Sequence, residues 1–367
     1  MKILLSAVLF LILFSSAQSQ VSLNYNFDNS SYAGFPNTLN GKDFFTLRTN
    51  SFSNTKSRHL ETQSSSCRDQ IKVAICLVDP MKEGEDFKTR KCQEGSLSYA
   101  SYFESLYDNY PPAMQKMFCS LNRIFIEKQF FGTAYASSIY DEQGNSNGAL
   151  IGIRKSALDE SLKLTTWSSW KEQLSFGGVT DSYTVTPDLP QVVASSNSTT
   201  NDFLYFVITH EFGHLFDFAN KLNDQVNCPE PSEEDEEPEC VMREGSFGAI
   251  SWETDRKPKA ENEFLNRNGL CFYACEGKTL SKDDVPLLYE SILNTDFIST
   301  YGAVQPWDDF AESLAYFTID QKLQAKYILD TKQGQYYDSI LKLKSPIFKK
   351  KLKYIQEFLN RPDILYP

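Results

Sequence analysis

Histidine is scarce in this chain, with three among 367 residues. Two imidazoles at a meaningful spacing therefore have almost no background to hide in. Basic side chains are also in deficit, 36 lysines and arginines against 48 aspartates and glutamates, for a formal net charge of -12. That balance argues against a nucleic-acid backbone or an anionic membrane as the main partner. After the first twenty residues no segment is long and apolar enough to span a bilayer. No internal repeat is visible. No cysteine precedes Cys67, which leaves no thiol near the N-terminus for lipid attachment or for inhibiting a metal site.

What is present points to an exported globular protein. The length allows one large domain or two closely packed ones. Hydrophobic residues at 41% and aromatics at 14% are too many for a wholly disordered chain. Lys2, the apolar run Leu4 to Phe14 and the small-x-small site Ala17-Gln18-Ser19 read as a cleaved signal peptide over residues 1–19. The expected location is secreted or periplasmic, with no membrane span in the mature chain. The 8 cysteines are an even count, which on an exported chain favours disulfides. Cys228 with Cys240 is the best-defined pair, because the two bracket a segment that needs tying down. For Cys271 and Cys275 a zinc site is the rival reading to a disulfide.

The chain divides by composition. Residues 20–66 are rich in Ser, Asn and Thr and read as a polar leader or propeptide. Asn29-Ser30-Ser31 and Asn197-Ser198-Thr199 match the glycosylation sequon. Over 67–200 the pattern suggests an α/β part. Ile71, Val73, Ile75 and Leu77 alternate as in a strand. Pro111-Pro112 then opens an apolar helix through Met117 and Leu121. Strands follow over Ile124 to Glu127, Thr133 to Tyr140 and Ala149 to Arg154, with a turn over Gly144 to Gly148. The expected result is a small mixed or antiparallel sheet with a helix packed on it.

Residues 201–367 read as mainly helical. The clearest helix covers Asp202 to Leu222, with Thr199, Thr200 and Asn201 as N-cap candidates and apolar residues on nearly every side. The segment Cys228 to Cys240 holds seven acidic residues and no basic one, and its prolines forbid regular structure. It reads as a solvated loop that biases a neighbouring site against acidic ligands. Asp308 to Lys322 and Ile347 to Leu359 show helical spacing, with Phe348, Leu352, Ile355 and Leu359 on one face. The fold class expected is α+β.

The chemistry sits in His210-Glu211-Phe212-Gly213-His214. At about 3.6 residues per turn His210 and His214 share one helix face, so both imidazoles reach one metal ion. Glu211 is turned by about 100° and faces an open coordination position. Zinc acidifies a water there, and Glu211 takes its proton and delivers it to the leaving amine. With so few histidines, chance predicts on the order of 0.002 such matches in this chain. Two imidazoles and a glutamate satisfied by hydrogen bonds alone in a core helix are the bland alternative, and that burial is costly without compensation.

A third ligand is needed. His59 lies in the polar leader and is poorly placed. Asp217 and Asn220 stand where one known pattern has a glycine and a third histidine, so that pattern is excluded. A carboxylate from a later helix remains, and Tyr301-Gly302 through Pro306, Asp308 and Glu312 supplies it. Asp308 and Glu312, four apart, lie on one face. One binds zinc while the other accepts a histidine Nδ1–H. The alternative is an ordinary helix start with acidic residues in its first turn. Tyr301 offers a phenol to an oxyanion, or packs the helix entry. The strand ending near Arg154 is a candidate for pairing with an extended substrate.

At these residues a family resemblance appears. The helix HEFGHxxD, with Asp217 in the last place, resembles that of gluzincin metallopeptidases of the anthrax lethal factor and Pro-Pro endopeptidase type. Those enzymes also have a downstream Tyr-Gly and a helix close to E-F-F-A-E; here Tyr301-Gly302 and Asp308-Asp309-Phe310-Ala311-Glu312 occupy those places. The resemblance implies a zincin-like fold, Asp308 as third zinc ligand, Glu312 behind a ligating histidine, and Tyr301 as catalytic tyrosine. The departure is an aspartate, one methylene shorter, in the ligand place, which keeps Glu312 as the alternative ligand. About a third of the chain is covered. The expected function is that of a secreted zinc-dependent endopeptidase acting on peptide or protein substrates. The alternatives are a secreted zinc-containing binding or adhesion protein without turnover, and a hydrolase of a non-peptide amide.

Overall fold

The computed structural model describes residues 46–48, 67–80, 90–130, 132–140, 146–159, 162–178, 182–194, 199–229, 239–273, 280–323 and 327–367. The expected signal peptide over residues 1–19, both sequon asparagines, His59, Cys275, residues 141–145 of the expected turn and residues 230–238 of the acidic segment lie outside them.

The strands are β1 (Thr46–Arg48), β2 (Ile75–Val78), β3 (Leu121–Glu127), β4 (Ala134–Tyr140), β5 (Ser146–Arg154), β6 (Gln191–Ala194), β7 (Gln225–Val226), β8 (Val241–Met242), β9 (Tyr327–Asp330) and β10 (Tyr336–Asp338). The helices of the first half are α1 (Cys67–Ala74), α2 (Ala100–Asn109), α3 (Pro112–Ser120), α4 (Lys155–Asp159) and α5 (Leu164–Leu174). Those of the second half are α6 (Thr200–Asn220), α7 (Gly248–Ser251), α8 (Val285–Leu293), α9 (Pro306–Leu323), α10 (Ser339–Leu343) and α11 (Lys349–Leu359).

A five-stranded mixed sheet runs in the order β1-β4-β5-β3-β2. Strands β2, β3 and β5 are parallel to one another, β4 is antiparallel to β5, and β1 is parallel to β4. A second, antiparallel sheet has the order β10-β9-β6. The mixed α+β class expected from the sequence is what the chain adopts. A continuous apolar core joins the sheet to the helices behind it, from Ile71 and Ile124 through Phe206 and Phe212 to Phe310 and Phe358.

Helix α6 passes through the middle of this core. Its start is set by a capping box: Thr199 Oγ1 accepts from the Asp202 N–H at 3.2 Å, and Asp202 Oδ2 accepts from the Thr199 N–H at 2.8 Å. Its end is set by Lys221, whose φ of 53° is left-handed. Asp217 holds that turn, accepting from the backbone N–H and the Nδ2 of Asn223, both at 2.7 Å. Phe203, Phe206, Ile208, Phe212, Leu215 and Phe216 are fully buried, as the all-round apolar pattern predicts. Helix α3 begins at Pro112, where a proline costs no hydrogen bond.

Three expectations are corrected. Residues Cys67–Ala74 are helical, and the strand begins only at Ile75. The alternation Ile71, Val73, Ile75, Leu77 straddles a helix end and a strand start; Val73 is 58% exposed, so it belongs to no buried strand face. Ser146, Asn147 and Gly148, expected in a turn, open β5. The strand ending at Arg154 is internal, paired on one side with β3 and on the other with β4. Both of its hydrogen-bonding edges are used, so it has none to offer a substrate.

Disulfides join Cys67 to Cys119, Cys76 to Cys92 and Cys228 to Cys240, the last as expected. Cys271 is disulfide-bonded as well, which removes the zinc reading there. The disulfides are consistent with an extracellular protein. Among the described residues no helix is long and apolar enough to cross a membrane.

Candidate metal centre

Helices α6 and α9 cross at the point where their backbones approach most closely. A Cβ on Gly213 would lie 2.7 Å from Ala311 Cα and 3.1 Å from Ala311 Cβ. Gly213, between the motif histidines, is therefore the residue that lets α9 settle against them. The contact turns Asp308 and Glu312 of α9 toward His210 and His214 of α6.

Three donor atoms converge there. His210 Nε2 lies 3.1 Å from His214 Nε2, and Asp308 Oδ1 lies 3.5 Å and 3.6 Å from the two nitrogens. For Zn–N bonds of about 2.05 Å, the edge of a tetrahedron is about 3.3 Å. The triangle thus matches three corners of a tetrahedral site and leaves the fourth open. All three residues are buried, and together they form the metal-competent cluster of the described residues. Asp308 Oδ1 is buried, points at both rings and makes no hydrogen bond, whereas Oδ2 accepts from Gln305 Nε2 at 2.7 Å. An orphaned carboxylate oxygen between two imidazole nitrogens is what a cation would satisfy.

Glu312 is not in the triangle. Its Oε1 sits 3.2 Å from His210 Nδ1, on the far side of that ring. Its oxygens accept from Lys171 Nζ at 2.9 and 3.0 Å, and Oε2 accepts from Ser299 Oγ at 2.7 Å. Of the two carboxylates left open by spacing, Asp308 thus faces the histidine Nε2 atoms and Glu312 orients a histidine.

Glu211 and Tyr301 line the same cleft as the two histidines. Tyr301 stacks on His210 with ring centroids 5.7 Å apart and planes at 28°, and Phe272 meets its ring edge-on at 4.8 Å. Phe130, Trp167, Phe218 and Tyr273 give the cleft aromatic walls, and Thr133 to Ala136 of the β4 side form its rim. Strand β1 pairs only with Ser138 to Tyr140. Among the described residues no strand covers the outer edge of β4 before Ser138.

The electrostatics follow from burial and neighbours. Burial pushes the Glu211 carboxyl up to about 7, with the Asp308 charge adding to the rise and His210 opposing it. Burial alone would lower His210, but the nearby Asp308 and Glu312 carboxylates outweigh it and raise the imidazole to about 9. Burial and the neighbouring His210 charge hold His214 well below its ordinary value. Burial would raise Glu312, yet Lys171, His210 and Ser299 bring it down to about 2.

The sequence motif singles out His210, Glu211 and His214, the spacing Asp308 and Glu312, and the family resemblance Tyr301; the fold brings all six to one place. Lys171, Ser299 and Gln305 went unnoticed. A signal for Lys171 exists: it stands four residues after Trp167 and three before Leu174, on the apolar stripe of α5, where a lysine is out of place. Comparison of the chain with family models, curated proteins and solved structures gives no match.

Proposed function

We propose that this protein is an exported zinc-dependent endopeptidase of the zincin type, most similar in its site to the lethal factor and Pro-Pro endopeptidase group. The observation that carries the reading is the buried triangle of His210 Nε2, His214 Nε2 and Asp308 Oδ1 beside Glu211 in an open cleft. Two imidazoles, one carboxylate and a vacant fourth direction suit zinc better than calcium or magnesium, which prefer oxygen. When bound, zinc supplies Lewis acidity toward a peptide carbonyl and acidifies water.

The remaining roles belong to the chain. Glu211, poised near neutrality, takes a proton from water and hands it to the departing amine. Tyr301 donates its phenolic hydrogen to the oxyanion. Glu312 holds His210 by Nδ1. An extended peptide lies along β4 before Ser138, where no strand pairs among the described residues, which takes the role expected of the Arg154 strand.

Glu211→Gln tests this directly. Turnover of a peptide substrate should fall on the order of 10²- to 10⁴-fold with zinc stoichiometry intact. Full activity would remove the proposed base. A wild-type protein that binds zinc, yet cleaves neither casein nor itself, would instead be the non-catalytic zinc-containing binding protein.

A further inference from the structure

The least expected charge near the site is Lys171. It lies on α5, its side chain is 1% exposed, and its ammonium is ringed by Trp167, Phe206 and Tyr301 at 4.9, 5.5 and 4.9 Å from the ring centroids. Burying an ammonium among aromatic rings is costly unless it is paired and hydrogen-bonded. Its partner is Glu312, which is gripped by both oxygens and is equally buried.

We propose that Lys171 is a positioning residue for the metal centre. Its ammonium clamps Glu312, and Glu312 in turn fixes the His210 ring through Nδ1, so that Nε2 points into the ligand triangle. This inference rests on the zinc reading above. Three groups converge on Glu312 from three elements: Lys171 of α5 and Ser299 of the turn before Tyr301 donate to it, and His210 Nδ1 of α6 lies 3.2 Å from its Oε1. Lys171 is the one that reaches both carboxylate oxygens, at 2.9 and 3.0 Å. The same ammonium lies against the face of Tyr301, which stacks on the other side of the site against His210.

Charge and geometry make opposite claims about removing it. Deleting a cation from beside a divalent-ion site strengthens metal binding by simple Coulomb attraction. Releasing the clamp weakens it, by roughly 10- to 100-fold for a residue that orients a ligand. The sign of the change therefore separates positioning from bulk electrostatics.

The experiment is a competition titration of zinc against a chromophoric chelator, on the full mature chain. The variants are Lys171→Met, Glu312→Gln and the two combined. Lys171→Met should lose roughly 10- to 100-fold in zinc affinity. Its cobalt-loaded form should show a shifted visible spectrum while the far-ultraviolet circular dichroism stays that of wild type. The double variant should bind zinc no more weakly than Glu312→Gln, because the clamp acts only through that carboxylate. Unchanged or raised affinity in Lys171→Met would overturn the proposal. If Lys171→Met does not fold, the comparison of the double variant with Glu312→Gln decides, since the double variant removes both members of the ion pair and strands neither charge. A further tenfold loss in the double variant would then count against the clamp. Wild-type protein that fails to bind zinc would sink the zinc reading itself, and this inference with it.

Discussion

Two buried lysines grip the same helix, and only one of them touches the site. Lys171 holds Glu312 of α9, whose carboxylate reaches His210. Lys351 of α11 is fully buried and holds Asp309 of α9 at 2.6 and 2.7 Å and Asp296 at 3.1 Å. Asp309 is turned by about 100° from Asp308, and it also accepts from Trp252 Nε1 at 3.0 Å and Ser313 Oγ at 3.5 Å. The chemistry of the two pairs is alike: an ammonium, a carboxylate and an aromatic surround, with Phe297 4.6 Å from Lys351. The consequences differ because of what lies beyond each carboxylate. Beyond Glu312 is a candidate metal ligand. Beyond Asp309 are a tryptophan and a second aspartate that tie α9 to the C-terminal helix. A buried ion pair is thus no mark of a functional site in itself; the third partner decides.

The widest separation between the two should come from Lys351→Met. It strands Asp309 and Asp296 in the core, and breaking such a pair costs about 3 to 5 kcal/mol. Denaturant unfolding should show that loss, while the zinc affinity of the folded protein stays near wild type. A zinc affinity that falls as far as in Lys171→Met would erase the distinction between the networks. Asp308→Ala and Glu312→Ala probe the cleft face of the same helix. Losing a ligand should reduce zinc affinity by more than about 100-fold, whereas losing the residue behind His210 should cost roughly 10- to 100-fold. Equal losses, or a reversed order, would exchange the roles of the two carboxylates.

The difference in what was legible beforehand has the same origin. His210, Glu211 and His214 sit within one helical turn, so the sequence alone fixes their relative geometry. Cys228 and Cys240 are likewise close in sequence, separated by 12. The choice between Asp308 and Glu312 depends on the rotation of α9 against α6, which is set by the Gly213–Ala311 approach and by no local pattern. Helix α1 was hidden because Ile71 and Ile75 satisfy both periods, and its outcome is decided by the Cys67–Cys119 bridge and packing on α3. That Arg154 ends an internal strand follows from strand order, which chain order does not dictate. Gly213→Ala turns this into a measurement. The added methyl would meet Ala311 backbone at 2.7 Å, and overpacking of this kind costs about 1 to 3 kcal/mol. The helices must part to admit it, so zinc affinity should fall together with stability. A variant that loses stability alone would show that this crossing does not aim Asp308.

The smallest expected effect is a pH dependence that both networks have, since burial pushes Asp309 of the Lys351 network up to about 7, but that only the cleft network carries on to about pH 9. In the metal-free protein, burial opposes protonation of His210, but Asp308 and Glu312 outweigh it and raise the group to about 9. A group raised above its unfolded value of about 6.5 contributes stability that is fully present below that value. The contribution is lost as pH rises through about 9. Glu211, raised by burial to about 7, acts in the same direction, because the folded state keeps a proton that the unfolded chain releases near pH 4.3. Metal-free protein should therefore melt on the order of a few degrees lower at pH 9 than at pH 6. With zinc bound, the ligating nitrogen has no proton to lose, so this part of the slope should vanish and the stabilisation by zinc should grow with pH. Lys171→Met should flatten the metal-free slope between about pH 7 and 9, since Glu312 no longer presents a fixed acceptor to His210, whereas a Lys351 variant that still folds should keep that upper part of it. Parallel melting curves for the metal-free and zinc-loaded protein across this range would mean that His210 is not the proton-holding ligand.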